Sequence, residues 1–388
     1  MIPYLIVITY TMVLRADINA FLNPFIELFC LYLMVYLMKY EFGFEKTFSI
    51  LRVMVYILMW LGVVEYIMGR SPFSYLETIK GIYTGQFIRN GHYRIMSSAV
   101  HSLGYGLMIM CMGPFACYDE KKKEIKLFAR PVLLVLMIFN VFMTGSRSTL
   151  AVFVLELVVI LLFSRKKTLK RTILQLIIVL LLFAVFEMAI YKTSVGQYIM
   201  LQITSVLDEV LGTQWSVNYG ADLTALSSSS NYRDQLKYIF KVDWLNPILG
   251  IGRKKSFSAE INGSYILSID NFYIAEFVRY AYPGLITYVL FLLYFICSMI
   301  KKAFGKTKNV AAKIILIACT GYLVNLKWVD SLQTLKYLYV LFALFEVIED
   351  NAGEKETDTI EETSKYKKNK HTIQGKITKK KSKYIKNS

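Results

Sequence analysis

The feature that most constrains this chain is an apolar run, TILQLIIVLLLFAVFEMAIY, at Thr172–Tyr191. Its length is close to the roughly 20 residues that a helix needs to cross about 30 Å of hydrocarbon. A backbone exposed to lipid has to satisfy its own hydrogen bonds, so a run of this kind is predicted to be a helix.

The composition extends this prediction to the whole chain. Hydrophobic residues make up 55% of the sequence and the mean hydropathy is +0.45, which exceeds the roughly half-apolar composition of soluble domains. We predict an all-α, polytopic integral membrane protein with about ten transmembrane helices. The predicted spans are 3–14, 22–38, 50–68, 97–117, 131–144, 148–163, 172–191, 282–300, 312–326 and 331–348.

Three basic clusters predict the topology. They begin at Lys121, Arg165 and Lys301, and the positive-inside rule places them in the cytoplasm. Two cytoplasmic clusters on either side of residues 131–163 require an even number of crossings between them. The TGSRST sequence at Thr144–Thr149 is therefore predicted to be an outward-facing hairpin tip.

The same counting divides the chain into regions. We predict a transmembrane catalytic domain at 1–348 that includes an extracytoplasmic loop at 192–270, another outer segment at 69–96, and both termini in the cytoplasm. The loop contains amphipathic stretches such as Tyr232–Phe240, which favour short interfacial helices over a compact domain. Residues 349–388 are predicted to be a basic cytoplasmic tail.

The net charge of +17 does not indicate a nucleic-acid partner. Ten lysines and no acidic residue lie between Thr363 and Ser388, which leaves +7 for the rest of the chain. A basic run after a final apolar helix is more typical of a solvated tail near anionic lipid. We expect the stretch from Thr363 to be dispensable for chemistry.

Neither a metal ion nor a cofactor is predicted. The five cysteines lie in or beside apolar segments without metal-ligand spacing, and the three histidines are scattered, so the cysteines are interpreted as small buried hydrophobes. The GIG at Gly250–Gly252 has no preceding strand and no third glycine at dinucleotide-binding spacing.

Arginines in the predicted outer segments indicate an anionic partner. A guanidinium is a planar, permanently charged donor that suits phosphate oxygens. The alternative for each arginine is that it reaches lipid headgroups or pairs with a nearby acid. Glu156 and Glu187 fall inside apolar spans, where protonated structural carboxyls and a proton relay are both possible. The outer arginines are Arg89, Arg94, Arg147, Arg233, Arg253 and Arg279.

Four segments in order carry a resemblance to a known family. They are YRIMSSAVHSLGYG (Tyr93–Gly106), TGSRSTLAVF (Thr144–Phe153), Arg233 with the following NPILGIG (Asn246–Gly252), and DNFYIAEFVRYAYPGL (Asp270–Leu285). Together they resemble the O-antigen ligase and polymerase family of bacterial membrane glycosyltransferases over most of residues 80–300. The chain departs from the family pattern at three positions, where histidine, glutamate and glycine are replaced by Asp270, Arg279 and Ala281.

The resemblance implies an enzyme of the bacterial cell membrane. It implies transfer of a glycan from an undecaprenyl-pyrophosphate carrier to an acceptor hydroxyl at the outer face, without a metal ion. A polysaccharide polymerase is favoured because the family's ligase-associated histidine is absent, and a ligase or a lipid-linked oligosaccharide flippase is the alternative. The expected partners are the lipid-linked oligosaccharide, the bilayer and other polysaccharide-assembly membrane proteins.

The resemblance also implies roles for particular residues. Arg147, Arg94 and Arg233 are expected to stabilise the departing pyrophosphate. Asp270 is expected either to act as general base or to cap the helix predicted to begin at Asn271. The other predicted substrate-binding residues are Arg253, Arg89, His101 and Asn271.

Overall fold

The computed structural model describes residues 1–78, 82–83, 88–89, 91–164, 166–221, 231–261, 263–266, 268–306, 308–330 and 332–348. The chain is mostly helical, with little sheet. The helices are α1 (Ile2–Arg15), α2 (Ile18–Leu37), α3 (Gly43–Met68), α4 (Ser102–Met112), α5 (Pro131–Met143), α6 (Arg147–Phe163), α7 (Lys166–Ile190), α8 (Ser194–Leu211), α9 (Phe272–Phe304), α10 (Val310–Asn325) and α11 (Leu335–Glu346).

Three short antiparallel hairpins complete the described structure, together with a π-helix and several 3₁₀ segments. The π-helix is Met38–Phe42, and the 3₁₀ segments are Pro72–Tyr75, Gly113–Cys117, Trp215–Tyr219, Leu236–Lys241 and Leu332–Thr334. The hairpins pair β1 (Ile88–Arg89) with β2 (His92–Tyr93), β3 (Tyr118–Asp119) with β4 (Glu124–Ile125), and β5 (Ala259–Ile261) with β6 (Ser264–Ile266).

Each of the ten predicted spans falls on a helix. In the described residues, three helical runs are long and apolar enough to cross a membrane: Ile18–Met68, Leu169–Ile190 and Phe272–Phe304. Four further apolar helices are shorter: Ile2–Arg15, Ser102–Cys117, Pro131–Met143 and Val310–Asn325. The all-α membrane fold is therefore supported, and the number of ten crossings stays a prediction.

The predicted gap between the second and third spans is largely helical. The π-helix follows α2 directly, and α3 then begins at Gly43, whose φ is +69°. A residue in this left-handed conformation is a common site for glycine because it has no Cβ. The polar residues at this junction end the apolar pattern, and Gly43 interrupts the helical backbone there.

The centre of the bundle is formed by α10, which contacts α4, α6, α9 and α11. In contrast, α7 leaves most of its apolar side chains exposed, as expected for a helix that faces lipid. Three cysteines are buried as predicted, whereas Cys30 and Cys297 are exposed. Those two lie on outward faces of α2 and α9, which an apolar run alone does not distinguish from inward faces.

The two intramembrane glutamates are both buried. Glu156 is 3% exposed and Glu187 is 7% exposed. Neither carboxyl has a hydrogen-bond partner among the described residues. This environment disfavours a charged carboxylate.

One end of the bundle collects basic residues. Lys121 and Lys123, from the β3–β4 turn, line the same cavity as Lys308 and as Ile348, the last described residue. Two of the three predicted cytoplasmic clusters are therefore on the same side of the bundle. The cytoplasmic location of this end stays a prediction.

The opposite end carries the long loop at 192–270. The amphipathic helix α8 and 3₁₀ segments agree with the short helices that were predicted, while the serine-rich stretch 226–230 lies outside the described residues. The loop also forms a second small core, which the prediction missed. Its buried members are Leu236, Ile239, Phe257, Ala259, Ile261, Ile266, Ile274, Phe277 and Val278.

The long helix α9 is broken near its first third. Ala281 has φ 56° and ψ −164°, angles that are nearly restricted to glycine. Pro283 follows and has no N–H, so the carbonyl of Arg279 loses its usual donor within the helix. A buried carbonyl without a donor is costly, and the break therefore requires donors from elsewhere in the chain.

The NPILGIG segment, Asn246–Gly252, supplies those donors. The N–H of Ile251 donates to the carbonyl of Val278 at 2.9 Å, and the N–H of Gly252 donates to the carbonyl of Arg279 at 3.0 Å. Two motifs that are about 30 residues apart in the sequence are therefore joined through their backbones.

Gly250 allows this close approach, and we predict that Gly250→Ala destabilises the protein. A Cβ at this position would lie 2.1 Å from the carbonyl oxygen of Arg279, so one of the two backbones has to move. The expected cost is about 1–3 kcal/mol, seen as a lower thermal midpoint in detergent. Ala281→Gly is the control, because it relieves a strained φ; equal midpoints for the two variants would contradict the docking role of Gly250.

Candidate active site

The segment that carries Arg94 is held by a buried glutamate of α3. Glu65 accepts hydrogen bonds from the N–H of Met96 at 2.8 Å and of Ser97 at 2.6 Å, and from the Tyr93 hydroxyl at 2.8 Å. Hydrogen bonds to a charged group are worth about 1.5–3 kcal/mol each. The backbone around Arg94 is therefore fixed, and Glu65 was missed from the sequence.

The Arg94 side chain packs on the TGSRST turn. Its Nε donates to the carbonyl of Thr144 at 2.7 Å. Gly145 in that turn has φ +60°, and a Cβ there would lie 2.6 Å from the Tyr198 hydroxyl and 3.1 Å from Arg94 Nε. The glycine of the motif thus provides the space in which Arg94 lies.

Arg147 is the first residue of α6, directly after the N-cap residue Ser146. Its guanidinium lies 3.4 Å from Glu209 of α8, whose side chain is 58% exposed. Ion pairs with an exposed partner contribute about 0–1 kcal/mol. The predicted break is present, since α5 ends at Met143 and α6 begins at Arg147.

His101 caps the start of α4, where its Nδ1 accepts the N–H of Leu103 at 3.1 Å. His101 lies within electrostatic reach of Arg94 and Asp270. Because Nδ1 is an acceptor, the proton of the neutral ring is on Nε2.

Asp270 lies just before α9. The hydroxyl of Ser268 donates to its carboxylate at 3.1 Å. The structure excludes the alternative that Asp270 caps the helix: α9 begins at Phe272, and the side chain of Asn271 accepts the N–H of Ile274 at 3.1 Å. Asn271, predicted as a substrate ligand, thus has a capping role.

Arg253 is positioned by the connection between α1 and α2. One carboxylate oxygen of Asp17 accepts the N–H of Arg253 at 2.7 Å and of Lys254 at 2.8 Å. Burial alone would raise the pKa of Asp17, but these backbone hydrogen bonds lower it below its ordinary value. Arg15 adds a hydrogen bond from Nε to the Gly250 carbonyl at 2.7 Å. This long-range clamp was not predicted from the sequence.

A cleft of ≈ 390 Å³ lies between this loop and α9, and we call it the arginine cleft. Arg279 on its wall forms a bidentate ion pair with Asp330. Arg253 lies over the Tyr280 ring at 5.8 Å. The residues that line the cleft include Arg253, Ser268, Val278, Arg279 and Asp330.

Two arginines near the cleft retain a buried donor. The Nε of Arg253 and the Nε of Arg233 have no hydrogen-bond partner among the described residues. Arg233 follows Tyr232, whose hydroxyl accepts the N–H of Ser268 at 3.0 Å. Buried donors without an acceptor are rare in proteins, and in a cleft they suit an anionic ligand.

Glu276 adds a carboxylate below the cleft that was not predicted. It is 1% exposed, and the Tyr4 hydroxyl donates to it at 2.6 Å. Its other oxygen lies 3.8 Å from Arg279. Glu276 precedes Arg279 by one helical turn, and this spacing is the one sequence signal that could have shown the pair.

The predicted residues therefore fall into two groups. Arg94 and His101 interact electrostatically on one side, with Arg147 on the adjoining turn. Arg253 is in the arginine cleft, which reaches Asp270 through Ser268. Arg89 is in β1 opposite His92, but its side chain lies outside the described residues.

No metal site is apparent in the described part of the chain, where no three His, Cys, Asp and Glu side chains group as ligands. The arginine cleft is lined by Arg253 and Arg279, and guanidinium groups suit a negatively charged ligand.

The fold and the cleft define a helical membrane protein with a cationic site at one end of its bundle. Residues 132–292 match the family model described as O-antigen ligase. This match is consistent with the O-antigen ligase and polymerase family that the motifs predicted. Comparisons with curated proteins and with solved structures found no significant match.

The matched region contains the TGSRST turn, Arg233, NPILGIG and the broken part of α9. Tyr93–Gly106 lies before it, so this part of the resemblance stays a prediction. The match supports a membrane glycosyltransferase of polymerase or ligase type, in general terms.

We predict that Glu65→Gln destabilises the site end of the bundle. The glutamine side chain keeps one acceptor oxygen. Its NH₂ group replaces the other oxygen, and this donor then faces a backbone N–H. The expected loss is about 1.5–3 kcal/mol, measured as a lower thermal midpoint. Glu45→Gln is the matched control, since Glu45 is exposed on the same helix; equal effects would contradict the anchoring role of Glu65.

Proposed function

We propose that this protein is the polymerase of a cell-surface polysaccharide. It transfers the growing glycan from an undecaprenyl-pyrophosphate carrier to a hydroxyl of the next lipid-linked repeat unit, at the outer face of the bacterial cell membrane. The observation that supports the proposal is the arginine cleft, where Arg253 retains a buried Nε–H and Ser268 on the cleft wall donates to Asp270.

The chemistry follows from these groups. The acceptor oxygen attacks C1 of the carrier-linked sugar, the bond from C1 to the pyrophosphate oxygen breaks, and the configuration inverts. Asp270 takes the proton of the attacking hydroxyl. Arg94, Arg147, Arg233 and Arg253 stabilise the charge that develops on the pyrophosphate, and fixed donors in a site with little water are effective in this role.

His101 assists as a donor in this scheme. In the neutral ring the proton is on Nε2, because Nδ1 accepts the N–H of Leu103. His101 can hydrogen-bond a sugar or phosphate oxygen without competing with Asp270 for the acceptor proton. No metal ion or cofactor is required by this mechanism.

A ligase is the second candidate because the matched family model carries that description. A ligase would transfer the glycan to a different final acceptor with the same leaving group and the same base. The products distinguish the two: a polymerase lengthens carrier-linked chains in membranes that contain only the lipid-linked repeat unit. A flippase would leave the length of the chains unchanged.

We predict that Asp270→Asn lowers polymer synthesis by about 10²–10⁴-fold, the usual contribution of a general base. Asparagine keeps the size and the hydrogen bond from Ser268 but cannot take a proton at neutral pH. Because Asn271 is the helix cap, this change leaves α9 capped. Polymer ladders are compared at matched protein levels.

Asp243→Asn is the control for this experiment. Asp243 is exposed in the same loop, and its variant should give the wild-type ladder. A wild-type ladder from Asp270→Asn as well would overturn the assignment of the base.

The membrane orientation has its own test. Lys255 lines the arginine cleft and Lys121 lines the cavity at the basic end, and both are exposed. In a variant without native cysteines, Lys255→Cys should react with an impermeant maleimide in intact cells, whereas Lys121→Cys should react only after permeabilisation. The reverse pattern would move the proposed site to the cytoplasm and contradict the proposed function.

A further inference from the structure

A cavity of ≈ 960 Å³ lies at the basic end of the bundle, opposite the arginine cleft. Its wall combines the start of α3, the β3–β4 turn and the start of α10. Two acidic residues, Glu45 and Glu120, line it. Five cationic residues line it as well: Lys46, Arg52, Lys121, Lys123 and Lys308.

Most of this positive charge is not neutralised. Glu120 is paired with Arg52 and with Arg130. The four lysines are exposed, and none of them forms an ion pair with another described residue. A concave surface lined by one sign of charge attracts the opposite sign.

Two helix N-termini add to the positive potential. Gly43 and Phe44 at the start of α3 line the cavity, and so do Val310 and Ala311 at the start of α10. The first N–H groups of a helix lack partners within it and carry partial positive charge. Asn309 caps α10, but its side chain accepts only from Ala312. The cavity therefore suits a ligand that carries several negative groups along its length.

The chain itself provides such a group of charges. Ile348 lines the cavity, and its carbonyl accepts a hydrogen bond from Lys302 at 2.5 Å. The residues that follow, 349–362, contain one lysine and seven acids: Glu349, Asp350, Glu354, Glu356, Asp358, Glu361 and Glu362. The lysine-rich part of the tail begins only at Lys365.

We propose that the acidic segment 349–362 docks into this basic cavity. The segment starts at the cavity wall, so its effective local concentration is in the millimolar range without any partner having to diffuse to the site. Its carboxylates are complementary to the lysines and to the two helix N-termini. The tail is therefore divided into an acidic part that binds the bundle and a basic part beyond it.

Disulfide cross-linking in membranes tests the contact. Lys121→Cys and Glu356→Cys are introduced together in a variant without native cysteines. The membranes are then oxidised, and the linked peptides are quantified by mass spectrometry. The control combines Glu356→Cys with Lys170→Cys, an exposed position on α7 outside the cavity. We expect at least a severalfold higher yield for the cavity pair, and equal yields would overturn the proposal.

A charge swap tests whether the segment is the occupant. The two reporter cysteines, Lys121→Cys and Glu356→Cys, are kept. Adding Lys123→Glu and Lys308→Glu should lower the yield of the cross-link by about fivefold, since two ion pairs are lost. Adding Glu354→Lys with Asp358→Lys should restore it. Failure of the swap to restore the yield would overturn the proposal, because a cavity for free phosphate or lipid headgroups would not be rescued in this way. The readout is independent of polymer synthesis.

Discussion

The candidate site depends on the backbone hydrogen bonds between the break in α9 and the NPILGIG segment. Pro283 and the non-helical Ala281 leave carbonyls without donors, and the N–H groups of Ile251 and Gly252 satisfy them. Arg253 is the next residue, so its position relative to α9 is fixed by the peptide bonds before it. These hydrogen bonds attach the loop directly to the backbone of α9.

The two arginine groups are held in the same way. Glu65 binds the N–H groups of Met96 and Ser97, close to Arg94, and Asp17 binds the N–H groups of Arg253 and Lys254. In both cases, a carboxylate fixes the backbone near an arginine and directs its oxygens at N–H groups instead of the guanidinium. The backbone next to each arginine is thereby held by a carboxylate that does not use the guanidinium.

Apolar runs predicted the helices because exposure to lipid demands them, and the TGSRST turn was predicted because basic clusters on both sides required a break. The clamp of Asp17 on Arg253 could not be predicted, since 236 residues separate the partners and no periodicity reports which loops meet. The same limit applies to Glu65. The choice between Asp270 and Asn271 as the helix cap depended on the residue at which α9 begins. Helix propensity does not predict that position to a single residue.

The departures from the family pattern are compensated within the cleft. The pattern has a glutamate where this chain has Arg279, a change that would add two positive charges next to Arg253. Asp330 forms a bidentate pair with Arg279, and Glu276 lies one helical turn away at 3.8 Å from it. A carboxylate is thus still present on this part of α9, displaced by one turn, and the added cation is neutralised by a residue from the connection between α10 and α11. Arg253 therefore remains the cleft arginine whose Nε has no acceptor in the described structure, and the change at position 279 leaves the anion-binding character of the cleft in place.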